Sequence, residues 1–160
     1  MSIRIVRLGS PRAPGEGVRL GTVRRPPRGV RRSEYARRDF YDVWLPMLAP
    51  SEALLKEARG KEARGKRARG KRARGEQAHG QQAHGVRDER SWKRFVRRFK
   101  AEMKASDAAR TLDLLAVLSH GTQFALGCYC AEEQRCHRSI LRELLAARGA
   151  RIDQAPVGEV

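Results

Sequence analysis

The chain has 160 residues and a formal net charge of +17, a length that fits one domain of ordinary size with a tail or an inserted loop. Leu, Ile, Val and Phe supply 32 of the 160 residues, or 20%, which with that charge lies on the compositional border of disorder. The shortage is local, since residues 56–90 hold only Val86 from this set. No apolar run approaches the ~20 residues that span a bilayer, and the opening Met1-Ser2-Ile3-Arg4-Ile5 lacks the apolar stretch of a secretory signal. The expectation is a cytoplasmic protein with no membrane partner. In that compartment three cysteines serve as thiols or metal ligands rather than as disulfides.

Residues 3–6 and 18–23 are short, β-branched and partly alternating, and read as strands separated by a loop at Pro11, Pro14, Gly15 and Gly17. Pro26-Pro27-Arg28-Gly29 ends the second strand, because proline cannot donate to a ladder. Residues 19–38 carry eight arginines against one acid, Glu34. Arginine suits phosphate through its planar fork, so this segment points to an anionic small molecule or a nucleic acid as partner. Aromatic interleaving for base stacking is thin there, with Tyr35, Phe40 and Tyr41 only. Ser33 and Ser51 are placed to cap short helices.

From Lys56 to Gly85 a five-residue unit runs six times, from KEARG to QQAHG, and contributes +7 of the net charge. A helix would set successive glycines about 140° apart, so no apolar stripe forms, and each glycine costs roughly 1 kcal/mol against alanine. The block is expected to be a disordered basic insertion. Order resumes at Ser91, read as an N-cap, with Trp92, Phe95, Val96, Phe99 and Met103 on one helical face. Ser106 caps a further helix that ends at Gly121. Thr122 to Leu126 reads as a buried strand, and residues 137–147 as a last helix ended by Gly149.

All three cysteines lie between that strand and that helix, in Leu126-Gly-Cys128-Tyr-Cys130-Ala-Glu-Glu-Gln-Arg-Cys136-His137-Arg138-Ser139. Ligands of open α/β sheets bind beyond the carboxyl ends of strands, where helix N-termini favour anions, a thiolate included. Three readings compete. Cys128, Cys130 and Cys136, with or without His137, have the chemistry of a zinc site; against it, neighbours on a helix diverge by ~100°. Alternatively His137 or Arg138 activates a cysteine at an anion pocket. Or the cysteines are small buried hydrophobes.

Pro27-Arg28-Gly29, Ala49-Pro50-Ser51, Trp92-x-x-Phe95 and Cys130…Cys136-His137-Arg138-x-x-Leu141 occur in this order over residues 1–149. Together they resemble the DUF488 family of bacterial proteins, the YeaO-like group. The resemblance implies a small α/β cytoplasmic protein and carries no set activity with it. The family's strand-end pattern Asp-Arg-x-Trp-Pro-Arg-Gly is met at Arg24, Arg28 and Gly29, whereas Val23 and Pro26 stand at the Asp and Trp positions.

The resulting expectation is one α/β domain, residues 1–55 and 86–152, with a central mixed sheet flanked by helices. Residues 56–85 form the repeat insertion and residues 153–160 a tail. Function is expected at an anion cleft that binds or processes a phosphate-bearing ligand, a nucleotide or nucleic acid. Cys136 and His137 would be its reactive pair, and Arg24, Arg28, Arg138 and Ser139 would hold the ligand. One alternative is a non-enzymatic, basic nucleic-acid-binding accessory protein whose cysteines are structural, with or without zinc; another is a thiol redox sensor.

Overall fold

Short apolar runs become strands here only by pairing side by side in one direction. In the computed structural model, which describes residues 1–58 and 88–153, β1 (Ile3–Arg7), β2 (Val18–Gly21), β3 (Val43–Trp44) and β4 (Phe124–Cys128) form a sheet of order β1-β4-β2-β3. Every ladder is parallel, with Ile5 opposite Leu126 and Leu20 opposite Leu126. The α/β class with flanking helices is as expected, but the sheet is parallel rather than mixed. No tight hairpin joins these strands; each connection is long enough to carry the chain back to the same end before it pairs again. β4 is buried along its whole length, as a central parallel strand covered on both faces must be.

The helices are α1 (residues 52–58), α2 (Glu89–Glu102), α3 (Ser106–Leu118) and α4 (His137–Ala146). α2 starts two residues before Ser91, because Asp88 is its N-cap and accepts from the Ser91 N–H at 2.8 Å. Ser51 does act as a cap, its hydroxyl accepting from the Leu54 N–H at 3.1 Å. Around Ser33 only a single 3₁₀ turn forms, Arg32–Glu34. The predicted apolar stripe of α2 is core: Phe95, Phe99 and Met103 pack with Leu112 and Leu115 of α3, Ile140, Leu141 and Leu145 of α4, and Ile3, Ile5, Leu20, Phe124 and Leu126 of the strands. No helix among the described residues is long and apolar enough to cross a membrane. The repeat from residue 59 onward and the tail after residue 153 lie outside the described residues.

One arginine of the basic segment is not on the surface at all. Arg19 has no exposed side-chain area, and its guanidinium grips both oxygens of buried Glu16, at 2.6 and 2.9 Å. Its remaining nitrogen donates to the carbonyls of Ser10 and Asp39. The bidentate fork therefore fastens two loops to the start of β2. Burial raises the Glu16 carboxyl, but the bonds from Arg19 and the Ala13 N–H outweigh it and hold the group below its ordinary value.

A carboxylate depressed in the folded state stabilises above its unfolded value and loses that stabilisation as pH falls through the folded one. Thermal melts from pH 7 to pH 2 should therefore show stability lost below the ordinary glutamate value of 4.5. In Glu16→Gln that acid loss should be reduced, while stability at pH 7 drops by about 3–5 kcal/mol, because the buried Arg19 is left uncompensated.

Candidate thiol site

β1, β2 and β4 all end at the same edge of the sheet, and the residues that follow them make a second buried cluster. Leu8, Val23, Tyr41, Cys128, Cys130 and Cys136 form it, with half-buried Tyr35, Phe40 and Tyr129 packed against it. The three sulfurs lie within 4.8 Å of one another, and those of Cys128 and Cys130 are 3.3 Å apart. Cys136 is the N-cap of α4, its backbone extended at φ −120°, ψ 151°. From there its sulfur accepts the Arg138 N–H at 3.5 Å and meets His137 Nδ1 at 3.7 Å. The divergence expected of two adjacent helical residues does not arise, because Cys136 precedes the helix rather than belonging to it.

The imidazole is held from its other side. His137 Nε2 lies 2.7 Å from the Thr22 carbonyl oxygen and 3.2 Å from its hydroxyl. The Thr22 hydroxyl itself donates to the Gly127 carbonyl at 3.0 Å. A carbonyl can only accept, so Nε2 carries a proton and Nδ1 is left to share one with Cys136. The ring of Phe99 meets the imidazole edge-on at 5.6 Å between centroids.

Burial opposes ionisation of Cys136, but hydrogen bonds from Cys128 and Cys130 and the charge of His137 outweigh it, and the thiol is held well below its ordinary value. Cys130 is pushed the other way, by its bonds to Cys128 and Cys136 and by burial, and stays protonated. For His137, burial disfavours the cation, while the sulfurs of Cys128 and Cys136 more than restore it, so its value is raised. Both directions favour a proton held between Cys136 Sγ and His137 Nδ1. Burial also pushes up the phenols of Tyr41, to about 12, and of Tyr129.

Of the residues expected to hold a ligand, Arg138 lies inside the site, 3% exposed. Its guanidinium donates to the carbonyls of Val6, at the end of β1, and of Cys130, at 2.8 Å for the latter. Ser139 closes the turn by donating to the Cys136 carbonyl at 2.9 Å. Arg24 donates to the carbonyls of Pro50 and Ala49, and Arg28 is exposed. Neither makes a hydrogen bond or ion pair with the cysteines among the described residues. Sequence reasoning missed Thr22, whose contacts with His137 and Gly127 span more than a hundred positions. It also missed that Tyr41 and Tyr129 pack on the cysteines; the one signal was Tyr129 standing between two of them.

The cysteine cluster meets the elementary requirements of a metal centre. In a tetrahedral zinc–thiolate site sulfurs stand roughly 3.8 Å apart, which the spacing here brackets. His137 Nδ1 is close enough to Cys136 to join them, with its outer nitrogen fixed on a carbonyl as metal-bound imidazoles are. Three close cysteines are therefore able to hold a metal ion.

Removing the buried guanidinium tests how the turn is held. Arg138→Met should lower stability by about 3–6 kcal/mol in chemical denaturation, the worth of two hydrogen bonds from a charged donor. Arg138→Lys should recover only part, since an ammonium cannot fork to both carbonyls. A Met variant as stable as the parent would show that neither carbonyl depends on Arg138.

The family model described as the active DUF488-N3 subclade matches residues 3–79 and 76–149. No curated protein and no solved structure matches the chain. The two spans meet within the pentapeptide block and together take in every described element from β1 to α4, and on this ground the chain belongs to the DUF488 family.

Proposed function

We propose that the chain is a thiol-dependent enzyme that binds and processes a phosphate-bearing ligand, a nucleotide or nucleic acid, with Cys136 as nucleophile and His137 as the group that keeps it ionised. The observation that carries this reading is the contact of Cys136 with His137 Nδ1 at the N-cap of α4, beyond the carboxyl end of a central parallel strand. Chemically, a sulfur–phosphorus bond would form as the ester P–O bond breaks. The leaving oxygen takes a proton from water, and the hydroxide so formed attacks phosphorus and displaces the sulfur, which returns as thiolate.

Charge supports an anionic ligand. Whether the shared proton sits on Cys136 or on His137, that pair is neutral, so the buried Arg138 leaves the site with one net positive charge. The surrounding segment adds to it. Arg31, Arg32 and Arg38 are exposed, and Arg37 pairs with Glu34, on the stretch whose Tyr35, Phe40 and Tyr41 belong to or pack against the cluster that holds the cysteines, which favours a ligand with more than one phosphate. The matched subclade carries the description active.

A second reading has one observation of its own. The spacing of the three sulfurs, with His137 beside Cys136, suits a structural zinc in a non-enzymatic nucleic-acid-binding protein. Untagged protein separates the two. The enzyme reading expects Cys136-dependent hydrolysis of p-nitrophenyl phosphate or of a nucleoside monophosphate, and alkylation of Cys136 by iodoacetamide that inorganic phosphate slows. Cys136→Ser should fall at least about 100-fold in turnover with its thermal melt retained. One zinc per chain, thiols that resist alkylation and no turnover would replace this reading with the structural one.

A further inference from the structure

Buried polar side-chain atoms are nearly always hydrogen-bonded, because desolvation without a partner costs free energy. Among the described residues four such atoms have no partner: the hydroxyls of Tyr41 and Tyr129, Arg138 Nε and Arg135 Nη1. Three of the four, on Tyr41, Tyr129 and Arg138, border the cysteine cluster; the guanidinium of Arg135 turns instead to Glu89 and the Trp92 ring of α2. All four are groups that can donate, and the two guanidinium nitrogens can do nothing else. Each of the three that border the cysteines has an N–H or O–H left to give, which suits an acceptor placed among them.

From this we infer that the Tyr41 and Tyr129 hydroxyls, with Arg138 Nε, are the donors that bind the oxygens of a phosphoryl-type oxyanion at the thiol site. The inference rests on the reading of Cys136 as a nucleophile and names how its ligand is gripped. Tyr41 is the firmest member. It is 4% exposed, and its ring lies against Gly21, where a Cβ would stand 2.4 Å from the ring. The glycine at the end of β2 leaves the space the ring occupies, and Tyr35 meets that ring edge-on at 5.2 Å. Phenylalanine would fill this place equally well without a stranded hydroxyl. Tyr129, between the two cysteines, is held from outside by Phe40 at 6.1 Å. Two neutral donors and one cationic donor match the three terminal oxygens of a phosphate monoester, and the cation supplies the countercharge.

The test uses the full chain, inorganic phosphate as probe, and Tyr41→Phe, Tyr129→Phe and the double variant. Calorimetric titration should show phosphate binding to the parent that weakens about tenfold or more for each hydroxyl removed, the usual worth of a hydrogen bond to a charged acceptor. Thermal melts should show Tyr41→Phe at least as stable as the parent, since a stranded donor has been removed. Parent-like phosphate affinity in the double variant, or no phosphate binding to the parent, overturns the inference. The function itself is judged separately, by whether turnover of the phosphate ester depends on Cys136: turnover lost in Cys136→Ser but unchanged in the double tyrosine variant would sink the donor set and leave the nucleophile standing.

Discussion

A guanidinium buried at the carboxyl edge of the sheet organises everything that surrounds it. Arg138 reaches from the first turn of α4 to the carbonyls of Val6 and Cys130, so one rigid fork sets how far the end of β1 stands from the turn after β4. A cation withdrawn from water must be met by acceptors or by opposite charge. Two carbonyls supply the first, and the nearby sulfur of Cys136 raises the arginine's own value against the effect of burial. The turn from residue 130 to 136 is closed around this charge, and its closure is what brings a sulfur from each end of the turn beside the sulfur at the end of β4.

Arg19 makes an instructive contrast. It too is buried and forked, yet Glu16 cancels its charge locally, and what results is a joint between loops. Among the described residues Arg138 has no carboxylate partner. The neutral Cys136–His137 pair beside it does not cancel its charge, although the nearby sulfur raises the arginine's value. Both forks hold the backbone together, and the difference lies in what stands opposite: a carboxylate for Arg19, two carbonyls and a nearby sulfur for Arg138.

Much of the fold was legible in the sequence, and for identifiable reasons. The stripe from Trp92 to Met103 and the apolar run at β4 are dense enough that burial is their only outcome. Strand direction was not legible, because a β-branched pentamer carries no mark of parallel or antiparallel pairing. β3 escaped notice since it is two residues long and both are exposed. Arg19 was read with its neighbours as part of a basic surface; Glu16 three residues earlier, between glycines, is the local sign that it folds inward. At the site, Cys136, His137 and Arg138 were found from adjacency and placement before a helix. The objection that two neighbouring side chains diverge was correct for a helix but misplaced by one residue. Thr22 was beyond reach, because nothing local in a strand end announces a partner on α4.

The hold of Thr22 on the imidazole has a further consequence. Thr22 and Val23 lead straight into the arginine-bearing segment, while the Thr22 carbonyl and hydroxyl fix where the His137 ring sits. The distance at which the imidazole meets Cys136 is therefore set from β2 as well as from α4, so a shift of one strand end against the helix would part sulfur and ring without altering either residue.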